Sequence, residues 1–270
     1  MNIVKIDSPK NSRIKLFSKL KERKWRKETG LFIVEGEREI NRALQSNLVP
    51  EIIMVEENLG DKVKAYELKA LEIKVKDFLI ISQRCSEEIS MREKSPGIFA
   101  VFKYPESRDI SSAVIRKDSI CLCLIGVEKP GNIGAILRTV DAFGVDIVLL
   151  SKNTDVFNPH IIRNSAGTVF NINIYQVSED EAADFMTKFY IISADPNAKD
   201  VIWNVKIRFP VCVVLGSEDR GVHQKFLNIS DTKVKIPMFG IADSLNVSVA
   251  AGIIIYEIVR SKFNQSKNMP

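Results

Sequence analysis

Three short stretches place glycine, proline and small polar or charged side chains directly after apolar runs, where a chain turns and can hold a ligand. The first is GVEKPGNIGAILR, residues 126–138. Pro130 and Gly131 are a turn signal, Asn132 has a good helix-capping side chain, and Arg138 follows within the same helical segment. The glycines fit neither GxGxxG nor GxxxxGK[ST], so no phosphate-cradling loop is encoded there. An ordinary strand–turn–helix, with Asn132 as cap and Arg138 on the surface, has the same pattern. The second stretch is LGSEDRG, residues 215–221. Gly216 and Gly221 flank Glu218, and glycine permits close backbone approach or positive φ. Glu218 is either a site acid or part of a polar helix start capped by Ser217 or Asp219. The third is IPMFGIADSLNVSVAAGIIIY, residues 236–256. Ser244, Asn246 and Ser248 stand at the mouth of a helix apolar on nearly every face, the pattern of a buried helix. One cap would suffice there, so the polar cluster exceeds capping needs.

These loops need elements to hold them. CLCLIGV, DIVLL, FNINIYQV, FYIISAD, PVCVVLG and TKVKIPM are short apolar runs that alternate with helical segments such as IGAILRTVDAFG and EDEAADFMTKF. Strands this apolar are covered on both faces, as in a parallel sheet, and ligands of such sheets collect at the carboxyl ends of strands. The three loops lie at such ends. Upstream, Leu31–Val34, EIIMVEE, LEIKVKD and PGIFAVFKY read as strands. Glu37–Gln45, Asp61–Ala70 and Leu79–Ser90 read as helices, giving a smaller α/β domain. The division is 1–104 for that domain, a polar linker at 105–117, the second domain at 118–263 and a tail at 264–270.

The net charge of +5 lies in the first part: residues 1–104 carry 21 Lys and Arg against 16 Asp and Glu, while the remainder is balanced. Lys10–Lys27 alone holds nine basic residues and one acid. Ile14, Phe17 and Leu20 recur at helical spacing within it, which predicts an amphipathic helix. Its Arg13, Lys15, Lys19, Arg23, Lys24 and Arg26 suit contacts with phosphates, and the missing acids favour that over a solvated surface. Cys85, Cys121, Cys123 and Cys212 form no CxxC pair and read as small buried hydrophobes, Cys121 and Cys123 facing one way from one strand. His160 and His223 form no HExxH, so no metal site is expected. No membrane span or signal peptide is visible, and a cytoplasmic protein is expected.

Taken together, PGNIGAILRTVDAFG (130–144), LGSEDRGV (215–222) and IPMFGIADSLNVSVAAGIIIYE (236–257) resemble, in order and spacing, the three signature motifs of the SpoU/TrmH-type RNA ribose 2′-O-methyltransferases of the SPOUT superfamily. NPHIIRNSAG (158–167) is similar to the family's loop between the first two motifs, and KLKERKWRKETGLFIVEGEREI to its N-terminal substrate-binding domain, which is related to kink-turn-binding ribosomal proteins. The resemblance implies an α/β protein with a C-terminal parallel-sheet methyltransferase domain tied in a deep trefoil knot, an exception to the usual absence of knots. It implies S-adenosylmethionine held in the knot, with Gly216, Ile236 and Leu245 as main contacts and Leu215, Met238, Asn246 and Ser248 nearby. It also implies a homodimer formed through the knots, with both copies shaping each site.

The family's catalytic positions fall on Asn132, Arg138, Glu218, Ser244 and Asn246, and Arg163 joins the RNA contacts through the loop at 158–167. The reaction carries a methyl group from a sulfonium to a ribose 2′-hydroxyl. The enzyme must align the hydroxyl with the methyl and assist loss of its proton. A guanidinium hardly deprotonates, so Arg138 is expected to bind phosphate and stabilise alkoxide charge, while the proton leaves to phosphate or water. By the same resemblance, the two-domain form with its basic N-terminal module points to ribosomal RNA more than transfer RNA. Transfer RNA, or an RNA-binding assembly factor that keeps the fold without catalysis, are the alternatives. Asp219 stands where the family often has Gly, and SPGIF (95–99) replaces a fuller Pro-Gln-Gly pattern.

Overall fold

The computed structural model describes residues 1–217 and 219–267. It divides into two compact units, Met1–Glu106 with Asp155–Asn171, and Ser107–Thr154 with Ile172–Pro270. In the first, β1 (Asn2–Ile6), β2 (Leu31–Glu35), β3 (Ile52–Glu56), β4 (Asp77–Ile81) and β5 (Ile98–Lys103) form a sheet in the order β1-β4-β3-β5-β2. β1, β4 and β3 run parallel, and β5 is antiparallel to both β3 and β2. Helices α1 (Ser12–Lys19), α2 (Arg23–Thr29), α3 (Glu37–Gln45), α4 (Asp61–Glu72) and α5 (Gln83–Ile89) surround it. Ile14, Phe17 and Leu20 are buried, as their spacing predicts.

The expected strand over LEIKVKD is not formed. Its alternation of apolar and charged residues imitates a strand, yet α4 runs through Glu72, and Lys74 turns the chain at φ 58°. The more apolar FLII enters the sheet instead, between β1 and β3, and the following helix starts only after Ser82.

The second unit contains β6 (Ile120–Leu124), α6 (Pro130–Phe143), β7 (Ile147–Ser151), β8 (Ile174–Val177), α8 (Glu179–Met186), β9 (Tyr190–Ala194), β10 (Asp200–Val201), β11 (Val211–Leu215), α9 (Gln224–Ile229), β12 (Thr232–Lys235) and α10 (Val247–Lys267). The intervening α7 (Pro159–Asn164) belongs to the first unit. The sheet order is β10-β12-β9-β11-β6-β7-β8, parallel throughout. β6 and β11 lie at its centre, each buried along its whole length. Cys121, Cys123 and Cys212 share one apolar cluster there, unpaired. α6 starts on Pro130, which fits a first helical turn because it has no N–H to leave unsatisfied. It buries Ile133, Ile136, Leu137 and Val140 on one stripe and ends at Gly144 in the left-handed region. α10 packs on α6. It is not buried all round: Ala251, Ile254, Ile255 and Ile258 face inward, whereas Val249, Tyr256 and Phe263 are exposed.

Two details differ from the division read in the sequence. Residues 155–171, inside the expected second domain, pack with the first unit. The segment at 105–117 is not a free linker, since Ile110, Ala113 and Ile115 pack against the second unit's core. The hold on residues 155–171 is specific. Arg26, expected as a phosphate contact, is 1% exposed and spent internally. Its Nη1 donates to the carbonyls of Leu20 and Lys21, both at 2.6 Å, and its Nε and Nη2 donate to Asp155 Oδ2. Tyr104 donates its hydroxyl to Asp155 Oδ1 at 3.0 Å. Burial, then the nearby carboxylate, push that phenol up to about 12, so it remains a donor at any working pH. Phe32, Phe102, Phe157 and Phe170 stack beside this network. Asp155→Ala leaves a buried guanidinium without its counter-charge and is expected to cost about 3–5 kcal/mol, read from urea unfolding of the whole chain.

Candidate cofactor and catalytic site

The carboxyl ends of β6, β9, β11 and β12 surround a cavity of about 1090 Å³. Its position follows from the parallel sheet, which sends every strand-end loop to one edge. Apolar side chains including Leu215, Val222, Ile236, Leu245 and Ile254 line it, and groups of both charge signs join them, among them Asp195, Asp243, Lys129 and Lys235.

One wall is bare backbone. Gly216 directly follows β11, and a side-chain carbon built on it would lie 1.9 Å from the Gly221 carbonyl oxygen and 2.3 Å from the Val222 nitrogen. The chain can close this way only without a Cβ. The loop folds back on itself through Ser217 N–H to Gly221 O at 3.0 Å and Gly221 N–H to Ser217 O at 2.9 Å, with Gly221 at φ 66°. Gly216 and Gly221 both line the cavity, so this closed turn forms part of its wall.

The polar cluster of the third loop divides into two jobs. Ser244 lines the cavity. Asn246 caps α10: its Oδ1 accepts from Ser248 N–H at 2.8 Å and from the Ser248 hydroxyl at 2.7 Å, and its carbonyl accepts from Val249 and Ala250. Its Nδ2 donates to Asn132 Oδ1 at 3.1 Å, joining the first turn of α6 to the start of α10. Asn246→Ala removes the cap and this bridge together. It is expected to destabilise the chain by about 1–2 kcal/mol, visible as a lower thermal midpoint with the fold retained.

Of the residues expected to hold cofactor, Leu215, Gly216, Ile236, Met238 and Leu245 line the cavity, whereas Asn246 and Ser248 stand behind its rim. Glu218 lies outside the described residues. Arg138 is exposed, does not line the cavity, and makes no hydrogen bond or ion pair among the described residues. Sequence reasoning missed Ile125, Gly126, Ala194 and Asp195, which also line it. Each immediately follows or ends a strand, and the strand-end rule applied to β6 and β9 would have found them. Among the remaining RNA-contact candidates, Lys15, Lys19, Arg23, Lys24 and Arg163 are exposed, and Arg13 is half-buried and paired with Asp77 at 2.7 Å. Among the described residues no three His, Cys, Asp or Glu side chains gather as a metal site, and no helix is long and apolar enough to cross a membrane.

A parallel sheet with a cavity at its strand ends, preceded by a basic α/β module, is the arrangement of a ligand-binding α/β domain joined to a module suited to a polyanion. Comparison with known proteins makes the class specific. The sequence profile of the SpoU rRNA Methylase family matches residues 119–256, and that of the MRM3-like substrate binding domain matches residues 11–100. The chain is 30% identical over 264 residues to the 23S rRNA (guanosine(2553)-2′-O)-methyltransferase RlmP of Bacillus subtilis (strain 168), covering 94% of this chain and 98% of that one. It is 26% identical to the 23S rRNA (uridine(2479)-2′-O)-methyltransferase of Streptomyces viridochromogenes, over 91% and 88% of the two chains. A crystal structure of an RNA 2′-O ribose methyltransferase superposes with a TM-score of 0.85 at 35% identity, covering 96% of this chain and 99% of that one. AviRb of Streptomyces viridochromogenes, solved with its cofactor AdoMet, superposes at 0.81 with 25% identity, covering 94% and 99%. The chain belongs to the SpoU rRNA methylase family. It is an enzyme that uses S-adenosylmethionine to methylate a ribose 2′-hydroxyl of RNA.

Proposed function

We propose that the substrate is ribosomal RNA, bound by the first unit and methylated at the cavity edge of the second. The observation that carries this reading is the near-complete coverage of the chain, basic module included, by relatives named as 23S rRNA methyltransferases. The cavity's residues fit S-adenosylmethionine. Gly216, Leu215, Ile236 and Leu245 would hold the cofactor, and the charged groups of both signs at the cavity would suit its zwitterionic part. Bound there, the cofactor supplies a methyl group on an already electrophilic sulfonium. The protein's own work is to exclude water, aim the ribose hydroxyl and stabilise its developing charge. Ser244 stands at the cavity for the hydroxyl, and the Asn132–Asn246 bridge holds the two helix starts that frame it.

Arg138 belongs to the same chemistry through a second copy of the chain. Along α6 it sits about 9 Å beyond Asn132 and roughly 240° round the helix, and it does not line its own chain's cavity. Exposed Phe143 and Tyr256, whose ring centroids are 6.2 Å apart, continue into exposed Val249 and Phe263, an apolar face for the homodimer. Part of that face belongs to α10, the helix that looked uniformly apolar. The sheet order supports a trefoil knot, because β11 inserts between β6 and β9 and α10 returns onto α6. A cytoplasmic setting belongs to the same reading, in keeping with four unpaired, buried cysteines. The test is a map of 2′-O-methylated positions in total RNA with and without the protein. One ribosomal position is expected to lose its methyl group; loss from transfer RNA alone would overturn the assignment.

A further inference from the structure

Trp25 sits in the basic segment, outside the buried stripe of α1. Ile14, Phe17 and Leu20 already fill the interior beneath α1, each 2% exposed or less. The indole is only half-buried, and its N–H has no hydrogen-bond partner among the described residues. Two ammonium groups attend the ring: Lys19 Nζ lies 4.1 Å from its centroid and Lys24 Nζ 5.7 Å. Lys15, Lys24 and Lys27 are exposed nearby in sequence and form no ion pair among the described residues. The next residue, Arg26, is the buried anchor whose four hydrogen bonds tie α2 to the end of α1 and to Asp155. The ring is therefore mounted on a helix turn that cannot swing.

We infer that Trp25 is a stacking platform for an unpaired nucleobase of the RNA substrate, with Lys19 and Lys24 as contacts to the flanking phosphates. This rests on the reading of the protein as an RNA methyltransferase and adds the kind of RNA feature its first unit holds. A partly exposed indole among cations matches a polyanion that carries π-faces of its own. A duplex hides those faces in its stack, whereas loops and bulges expose them. In the free protein Lys19 occupies the ring through a cation–π contact. A base arriving on the indole displaces that ammonium onto the adjacent phosphate, so the covering lysine becomes a contact. Arg26 acts as a positioning residue, since it holds the helix turn and touches no RNA.

The chain has two tryptophans, Trp25 and Trp203, so Trp203→Phe in the full-length protein leaves Trp25 as its single indole emitter. This variant is titrated with a single-stranded oligoadenylate and with an RNA duplex of equal length at one salt concentration. The oligoadenylate is expected to quench the emission and the duplex to leave it nearly unchanged. A further Trp25→Ala change is expected to weaken oligoadenylate binding about 10-fold or more, while Trp25→Phe retains most of the affinity. In methylation assays Trp25→Ala is expected to raise KM for RNA and spare kcat. Unchanged emission, or equal affinity with alanine at 25, overturns the stacking inference while methylation continues. Absence of any methyl transfer by the parent protein would instead overturn the functional reading. If the alanine variant fails to fold, the emission titration and the phenylalanine variant decide.

Discussion

Arg138→Ala is expected to lower the rate of methyl transfer by about 10²–10³-fold, the loss seen when one preorganised donor to a developing oxyanion is removed. Its affinity for S-adenosylmethionine should stay within about twofold, because Arg138 does not line the cavity of its own chain. A guanidinium that served only as a surface charge would cost almost nothing to remove. Lysine at this position keeps the charge and loses the planar fork, so Arg138→Lys should recover only a small part of the rate. The proposal that Arg138 acts across a dimer has its own signature. A chain with a damaged cofactor cavity but an intact Arg138 should complement the Arg138→Ala chain. After mixing and re-association, about one quarter of the parental rate is expected, since half the dimers then carry one complete site. An arginine acting within its own chain gives no recovery.

Gly216→Ala supplies the cavity-damaged partner. The added methyl would stand 1.9 Å from the Gly221 carbonyl oxygen and 2.0 Å from its carbon, and both are backbone atoms that no rotamer change can move. The Gly216–Gly221 contact must open, and the cavity wall it forms moves with it. Calorimetric titration is expected to show cofactor affinity reduced about 100-fold or more, since a misplaced binding wall forfeits most of its contacts. The urea midpoint should fall by much less than for Asp155→Ala, because Gly216 lies at a loop edge and the first unit's network is untouched. Unaltered cofactor affinity in this variant would mean that the main-chain wall is not where the cofactor binds.

The second unit was the more legible half. Its six runs each became a parallel strand; the central β6 and β11 are apolar throughout because they are buried on both faces, whereas β8 and β12 are only partly covered. The strand-end rule then located the three loops, and five cofactor candidates meet at one cavity. What stayed hidden was non-local. Arg26 and Asp155 are 129 residues apart, and nothing in a run of basic residues distinguishes the one that folding will bury. The same blindness let LEIKVKD pass as a strand, since alternation there comes from a helix end and a turn. It also left Ser244 and Asn246 undivided: only the placement of α6 beside α10 shows that Asn246 is cap and bridge while Ser244 faces the cavity. The exposed face of α10 misled in the opposite direction, because an apolar side chain signals burial without saying against which molecule.

The most direct test of the central claim uses the purified protein, methyl-labelled S-adenosylmethionine, and ribosomal RNA from cells lacking it. After digestion to nucleosides, the label is expected in a single 2′-O-methylnucleoside, and the methylated linkage should resist alkali because its hydroxyl can no longer attack the phosphate. Label on a base, or no transfer from a protein that binds the cofactor, would contradict the account.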